Sequence, residues 1–287
     1  MNNAVIPLES IFHLEQIELN IFRGNSQNIG SGRIFGGQVL GQAITAAQAS
    51  VDDDRFIHSS HAYFLRAGDH DEPVVYIVDK TRDGRRYSAR TVTAVQKGRP
   101  ICTIMCSFQI AEVHEFDFSQ RQVDNLIAAD KWIEYDLTSI KSKDDKARQQ
   151  SKILSAMPFH LKVLEESIDK EQLLENYWLK TSQTIEKDVT KLHSSIFAYC
   201  SDFRLLASTL RSIDRRYHVP EMMLATICHA IWFHRDFRVD DWFFTQCEPL
   251  SVSNGRGLAK GSIYDTNGLL VATTMQEGVV MTLDDKK

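Results

Sequence analysis

The chain has 287 residues, enough for one large domain or two ordinary ones, and its 43% hydrophobic and 25% charged residues are those of an ordinary globular protein. A net charge of −5 argues against a nucleic-acid partner held through a broad basic face. Cys102, Cys106, Cys200, Cys228 and Cys247 are odd in number and form no CxxC pair, which favours reduced thiols of a cytosolic compartment over a disulfide framework or a zinc site. MNNAVIPLESIFHLEQ at the start has no basic region followed by a long apolar run, and no segment reaches the length of a membrane span. The ending LDDKK is neither a peroxisomal nor an ER-retention signal. A cytoplasmic protein without membrane insertion is expected.

Residues 9–23 read as an amphipathic opening element. The glycines of GSGRIFGGQVLGQAITAA invite comparison with a phosphate loop, but their spacing is neither a P-loop nor a GxGxxG behind a strand. A helix over 37–50 is predicted instead. Val39, Leu40, Ala43, Ile44, Ala46 and Ala47 cover so much of its circumference that other structure must wrap it. Gly36, Gly37 and Gly41 would let a neighbouring backbone come close.

From residue 58 the pattern turns to strands. Residues 60–65, 74–80, 87–96 and 101–110 are rich in β-branched and aromatic side chains, with hairpin turns at RDGR and QKGRP between them. The stretch 111–176 reads as a charged connector with helical pieces, including a short amphipathic helix over 161–174. The first pattern then returns: a strand at 178–187, an apolar helix at 201–211, and strands at 224–234, 242–248, 255–264 and 268–278. His61-Ala-Tyr-Phe-Leu echoes His229-Ala-Ile-Trp-Phe, and Gly98 before ICTIMC echoes Gly268 before LVATTMQ. The fold class expected is therefore α+β, two helix-plus-antiparallel-meander repeats. Their bounds would be 1–112 and 176–287, joined by the connector over 113–175. Paired sheets would remove exposed strand edges.

Asp202 has two readings. Ser201-Asp202 before an apolar run is an N-cap signal, with the carboxylate serving the helix's orphan N–H groups. Alternatively the acid is catalytic, set against a buried helix end. Thr226 and Gln276 carry equally plain readings, a β-forming residue and an edge polar residue. His58, His61 and His234 are read as structural histidines near aromatics, and no spacing resembles a metal site. Trp232, Phe233, Trp242, Phe243 and Phe244 are expected to build the core between sheet and helix.

At IFGGQVLGQA (34–43), HSSHAYFLRAGD (58–69), RDGRRYSARTVTAVQKG (82–98), CSFQ (106–109), SDF (201–203), ATICHAIWFHR (225–235), SNGRG (253–257) and DTNGLLVATTMQEGV (265–279), the chain resembles the acyl-CoA thioesterase II family, whose members fuse two hotdog units. The resemblance implies a double hotdog that hydrolyses acyl-CoA to fatty acid and CoA, in fatty acid metabolism, with no cofactor or metal. By position, the family's aspartate, Ser/Thr and glutamine fall on Asp202, Thr226 and Gln276, which together would bind and polarise a water. Amide donors at the start of the second helix and the Gln276 side chain would stabilise the oxyanion. The family's usual Asp and Ser are replaced here by Cys228 and Ala230, and Ala67 stands for a usual proline. The departures at 228 and 230 put rate or substrate range in question. A homo-oligomer is expected by the same resemblance. Alternatives are a non-catalytic acyl-CoA-binding protein and a hotdog hydratase or dehydratase of acyl thioesters.

Overall fold

The computed structural model describes residues 8–112, 115–119, 132–135, 156–164, 175–186, 190–213 and 222–283. It divides into two compact units. The first comprises Met1–Phe118, Gln183–Ser201 and Ala230–Phe233, and the second Ser119–Ser182, Asp202–His229 and His234–Lys287.

In the first unit, helices α1 (Leu8–Phe12) and α2 (Gly36–Gln48) accompany strands β1 (Glu15–Glu18), β2 (Ile21–Gly24), β3 (Arg55–Phe64), β4 (Val74–Asp83), β5 (Tyr87–Gln96) and β6 (Arg99–Ile110). Their sheet order is β1-β2-β4-β5-β6-β3. Strict alternation along β5, with Ser88, Arg90, Val92, Ala94 and Gln96 all buried, turns one face of this sheet onto α2. α2 is buried on nearly every side, as its all-round apolar sequence requires. Its glutamines survive that burial because each is bonded. Gln42 Nε2 donates to Ile11 O at 2.6 Å, while its Oε1 accepts from the Tyr76 hydroxyl at 2.7 Å.

Helix α3 (Thr190–Ser201) packs along α2 in this same unit. Contact is close because α2 presents glycine: Gly37 faces the backbone oxygen of Tyr199, and a Cβ on Gly41 would lie 2.6 Å from Ser195 O and 2.5 Å from the Phe12 ring. A backbone oxygen cannot swing aside as a side chain can. Gly41→Ala is therefore expected to cost about 1–3 kcal/mol, read as a lower urea midpoint; an unchanged midpoint would mean that the helices separate freely.

The second unit contains β7 (Trp132–Tyr135), β8 (Phe159–Leu164), β9 (Glu175–Thr181), β10 (Met222–Phe233) as far as His229, β11 (Phe243–Ser253), β12 (Arg256–Tyr264) and β13 (Leu270–Thr282), with a 3-10 helix over Leu206–Ser212. The order is β10-β13-β12-β11-β9-β8-β7. Trp132, Trp178, Phe244 and Tyr264 form an aromatic core cluster, with Trp242 packed against it. Two expectations are corrected here. The amphipathic helix expected over 161–174 is strand β8 as far as Leu164, because His160 to Val163 pair with Lys180 to Tyr177 of β9; its remainder lies outside the described residues. The strand expected to reach Lys187 ends at Thr181.

Both repeats share one irregularity. Pairing of β5 with β6 jumps from Ala94–Cys102 to Val95–Pro100, and pairing of β12 with β13 from Ile263–Ala272 to Tyr264–Leu270, so Ile101 and Val271 are each bulged out. Each bulged carbonyl accepts two amides: Leu65 and Arg66 at 2.8 and 3.2 Å, His234 and Arg235 at 2.8 and 3.2 Å. Arg66 then caps Pro100 O at 2.7 Å, as Arg235 caps Leu270 O at 2.9 Å. These bonds align Leu65 with His234, one residue away from the alignment that the His61 and His229 echo suggests.

Candidate active site

The second helix ends where the sequence suggests that it begins. α3 stops at Ser201, and Asp202 follows its C-terminus, so the N-cap reading of Ser201-Asp202 is overturned. The carbonyl end of a helix favours cations, and a carboxylate gains nothing there as a cap. The helix start expected to offer amide donors is therefore not at Asp202. The helix breaks because Arg204 takes φ 63°, a left-handed conformation, and because hydroxyls then serve i−3 carbonyls. Ser208 donates to Leu205 O at 2.7 Å, Thr209 to Leu206 O at 2.6 Å and Ser212 to Thr209 O at 2.8 Å. The apolar run that imitates an α-helix is a turn and a 3-10 helix laid on the sheet.

That turn places Asp202 against two neighbouring strands. Thr226 lies on β10 and Gln276 on β13. Gln276 Nε2 donates to Asp202 Oδ1 at 2.5 Å and to Thr226 Oγ1 at 2.7 Å, while Thr226 Oγ1 donates to the same Asp202 oxygen at 3.2 Å. The three side chains close a triangle on one carboxylate oxygen. Gln276 is 1% exposed, Asp202 and Thr226 are half-buried, and the Gln276 Oε1 finds no donor among the described residues. A buried carbonyl oxygen without a donor is costly in a finished core. Gly278 lets the turn sit this low: a Cβ there would lie 2.6 Å from Ala225 O and strike the Leu206 side chain.

An acceptor-only carboxylate held by two neutral donors, a hydroxyl and an amide, can bind a small polar molecule and take a proton from it. Cys228, two residues beyond Thr226, is half-buried and its thiol is pushed up by that burial, which keeps it protonated rather than nucleophilic. His229 is 1% exposed, and desolvation lowers it to about 3, so its ring is neutral at pH 7. The unfolded chain takes up this proton near pH 6.5, and the folded one only near 3. The stabilisation is thus full above pH 6.5 and falls as pH drops toward 3, by up to about 1.4 kcal/mol per pH unit. Urea midpoints of wild type and His229→Asn between pH 7 and 4 should converge as acid is added; parallel curves would contradict the burial account.

Counting from the shared bulge, Cys106 stands in the first repeat where Gln276 stands in the second, and Arg90 where Ala259 stands. Cys106 is fully buried with its thiol at about 12, and Arg90 is spent on Ser50 O (3.0 Å) and Asp83 (2.7 Å). Neither supplies the amide of Gln276. The sequence reading missed Glu175, Arg204 and Arg211, which grip the turn beside Asp202; an isolated charge at the edge of a charged connector carries no signal of its own.

The architecture is a double hotdog, as in a hot dog fold protein from Alicyclobacillus acidocaldarius that covers 96% of this chain at a TM-score of 0.71 and 14% identity. Family models described as acyl-CoA thioesterase N-terminal domain and acyl-CoA thioesterase match residues 23–109 and 169–279. Acyl-CoA thioesterase 2 of Haemophilus influenzae is 35% identical over 98% of this chain and 99% of its own. The human acyl-coenzyme A thioesterase 8 is 32% identical over 96% and 89%. A crystal structure of an acyl-CoA thioesterase II from Mycobacterium marinum superposes with a TM-score of 0.77 at 30% identity, covering 97% of this chain and all of that one. The chain belongs to the acyl-CoA thioesterase II family.

Proposed function

We propose that this protein hydrolyses fatty acyl-CoA to free fatty acid and CoA, and that Asp202, Thr226 and Gln276 carry the reaction. A water donates one O–H to the half-buried Asp202 carboxylate, which turns a lone pair toward the thioester carbonyl. As the O–C bond forms and the C–S bond breaks, the proton passes through Asp202 to the departing CoA thiolate. Thr226 and the Gln276 amide hold the carboxylate in place through the reaction. A thioester is activated enough that this needs no covalent intermediate.

The observation that carries the assignment is the hydrogen-bonded triangle closed on the half-buried Asp202 carboxylate. The test is free-thiol release across short- to long-chain acyl-CoAs, with fatty acid measured in parallel. Equal release of both products supports the reading. Tight binding with no release would contradict it and favour an acyl-CoA-binding protein.

All five cysteines are unpaired with one another, which supports a reducing, cytoplasmic location. Among the described residues no helix is long and apolar enough to cross a membrane. Exposed Tyr63, Tyr87 and Met105, on neighbouring strands of the first unit, support a homo-oligomer.

A further inference from the structure

Asp202 has no rigid element of its own: it sits between the last turn of α3 and a left-handed residue. What holds that turn is on β9. The Glu175 side chain is only 7% exposed, on the strand position paired with Cys247 of β11. Its Oε1 accepts from the Arg204 guanidinium and its Oε2 from Arg211 Nε at 3.4 Å. Arg204 is the residue with φ 63°, and Arg211 lies in the last turn of the 3-10 helix. One buried carboxylate therefore ties both ends of the segment that follows Asp202.

Two residues further along β9, the Tyr177 hydroxyl donates to Phe203 O at 3.1 Å, and its ring meets the Phe203 ring edge-on at 6.4 Å. Phe159 of β8 meets Phe203 at 6.1 Å. Phe203, the immediate neighbour of Asp202, is thus fixed by its carbonyl and by its ring. A left-handed non-glycine residue persists only where surrounding contacts over-determine it. The Glu175 pair with Arg204 supplies such a contact, and breaking a buried ion pair strands its partner.

Resting on the catalytic reading of Asp202, we infer that Glu175 is a positioning residue for the catalytic carboxylate. It touches neither Thr226 nor Gln276; it acts through Arg204 by holding the backbone that keeps Asp202 Oδ1 within reach of both. Loss of this grip changes the orientation of the acid more than the binding of acyl-CoA, so kcat should fall while KM holds.

Glu175→Gln, Glu175→Asp and Asp202→Asn are assayed together for thiol release, with folding checked by circular dichroism and thermal melting. Glu175→Gln is expected to lower kcat at least about tenfold with KM within about threefold of wild type, and Glu175→Asp to recover part of the loss. If Glu175→Gln does not fold, Arg204→Gln is read by the same split. A lowered melting temperature with kcat unchanged, while Asp202→Asn is inactive, would overturn the inference and leave the reading of Asp202 standing. Full activity in Asp202→Asn would overturn that reading itself.

Discussion

Asp202→Asn is expected to lower kcat for thiol release by about 10²–10⁴-fold, the range that a positioned acid or base contributes. Asparagine keeps the size of the side chain but cannot accept a proton from water. It also disturbs the triangle. Gln276 Nε2 and Thr226 Oγ1 both donate to Asp202 Oδ1, and an amide NH2 turned toward them would set donor against donor. Asp202 is half-buried and follows the helix rather than capping it, so the fold should survive. A variant with a wild-type melt and residual activity above a tenth would argue that another group activates the water.

Gln276→Ala is expected to lower kcat by about 10²-fold, the effect of losing one preorganised hydrogen-bonding group in a buried site. Gln276 is the member of the triangle that donates to both of the others, so its amide fixes the acid and the hydroxyl together. The alanine also leaves a cavity under the turn, so stability should drop by about 1–3 kcal/mol. Gln276→Met separates the two effects because it fills the space without the amide. It is expected to restore the melt and not the rate. Recovery of kcat in Gln276→Met would mean that Gln276 serves packing alone.

The second of these residues also shows where sequence reading stops. Gln276 on β13, like Thr226 on β10, looks ordinary in a strand, and only resemblance to the family joins the two to Asp202 across 74 positions. The first repeat was legible from physics alone. An α2 apolar on every side must be wrapped, and the alternation of β5 names the wrapping face. The second helix was not legible at its ends. Ser201-Asp202 before Phe203, Leu205 and Leu206 satisfies the local N-cap rule, yet the buried run Ser195 to Cys200 belongs to the true helix. What decides between them is tertiary: Glu175 on a distant strand stabilises Arg204 in a conformation that ends one helix and prevents the other. Strands β7 and β8 were hidden for a related reason, since their flanking charge reads as solvated surface until β9 pairs with β8.

The most direct test of the account is a single turnover with enzyme in excess over acyl-CoA in ¹⁸O-labelled water. Direct attack by a held water predicts one ¹⁸O in the released fatty acid and none in Asp202, read by mass spectrometry of the peptide that contains it. Label in the Asp202 carboxylate after that first turnover would reveal an acyl-aspartyl anhydride opened at the enzyme's carbonyl. Asp202 would then be a nucleophile, and the water-positioning triangle would be the wrong description of this site.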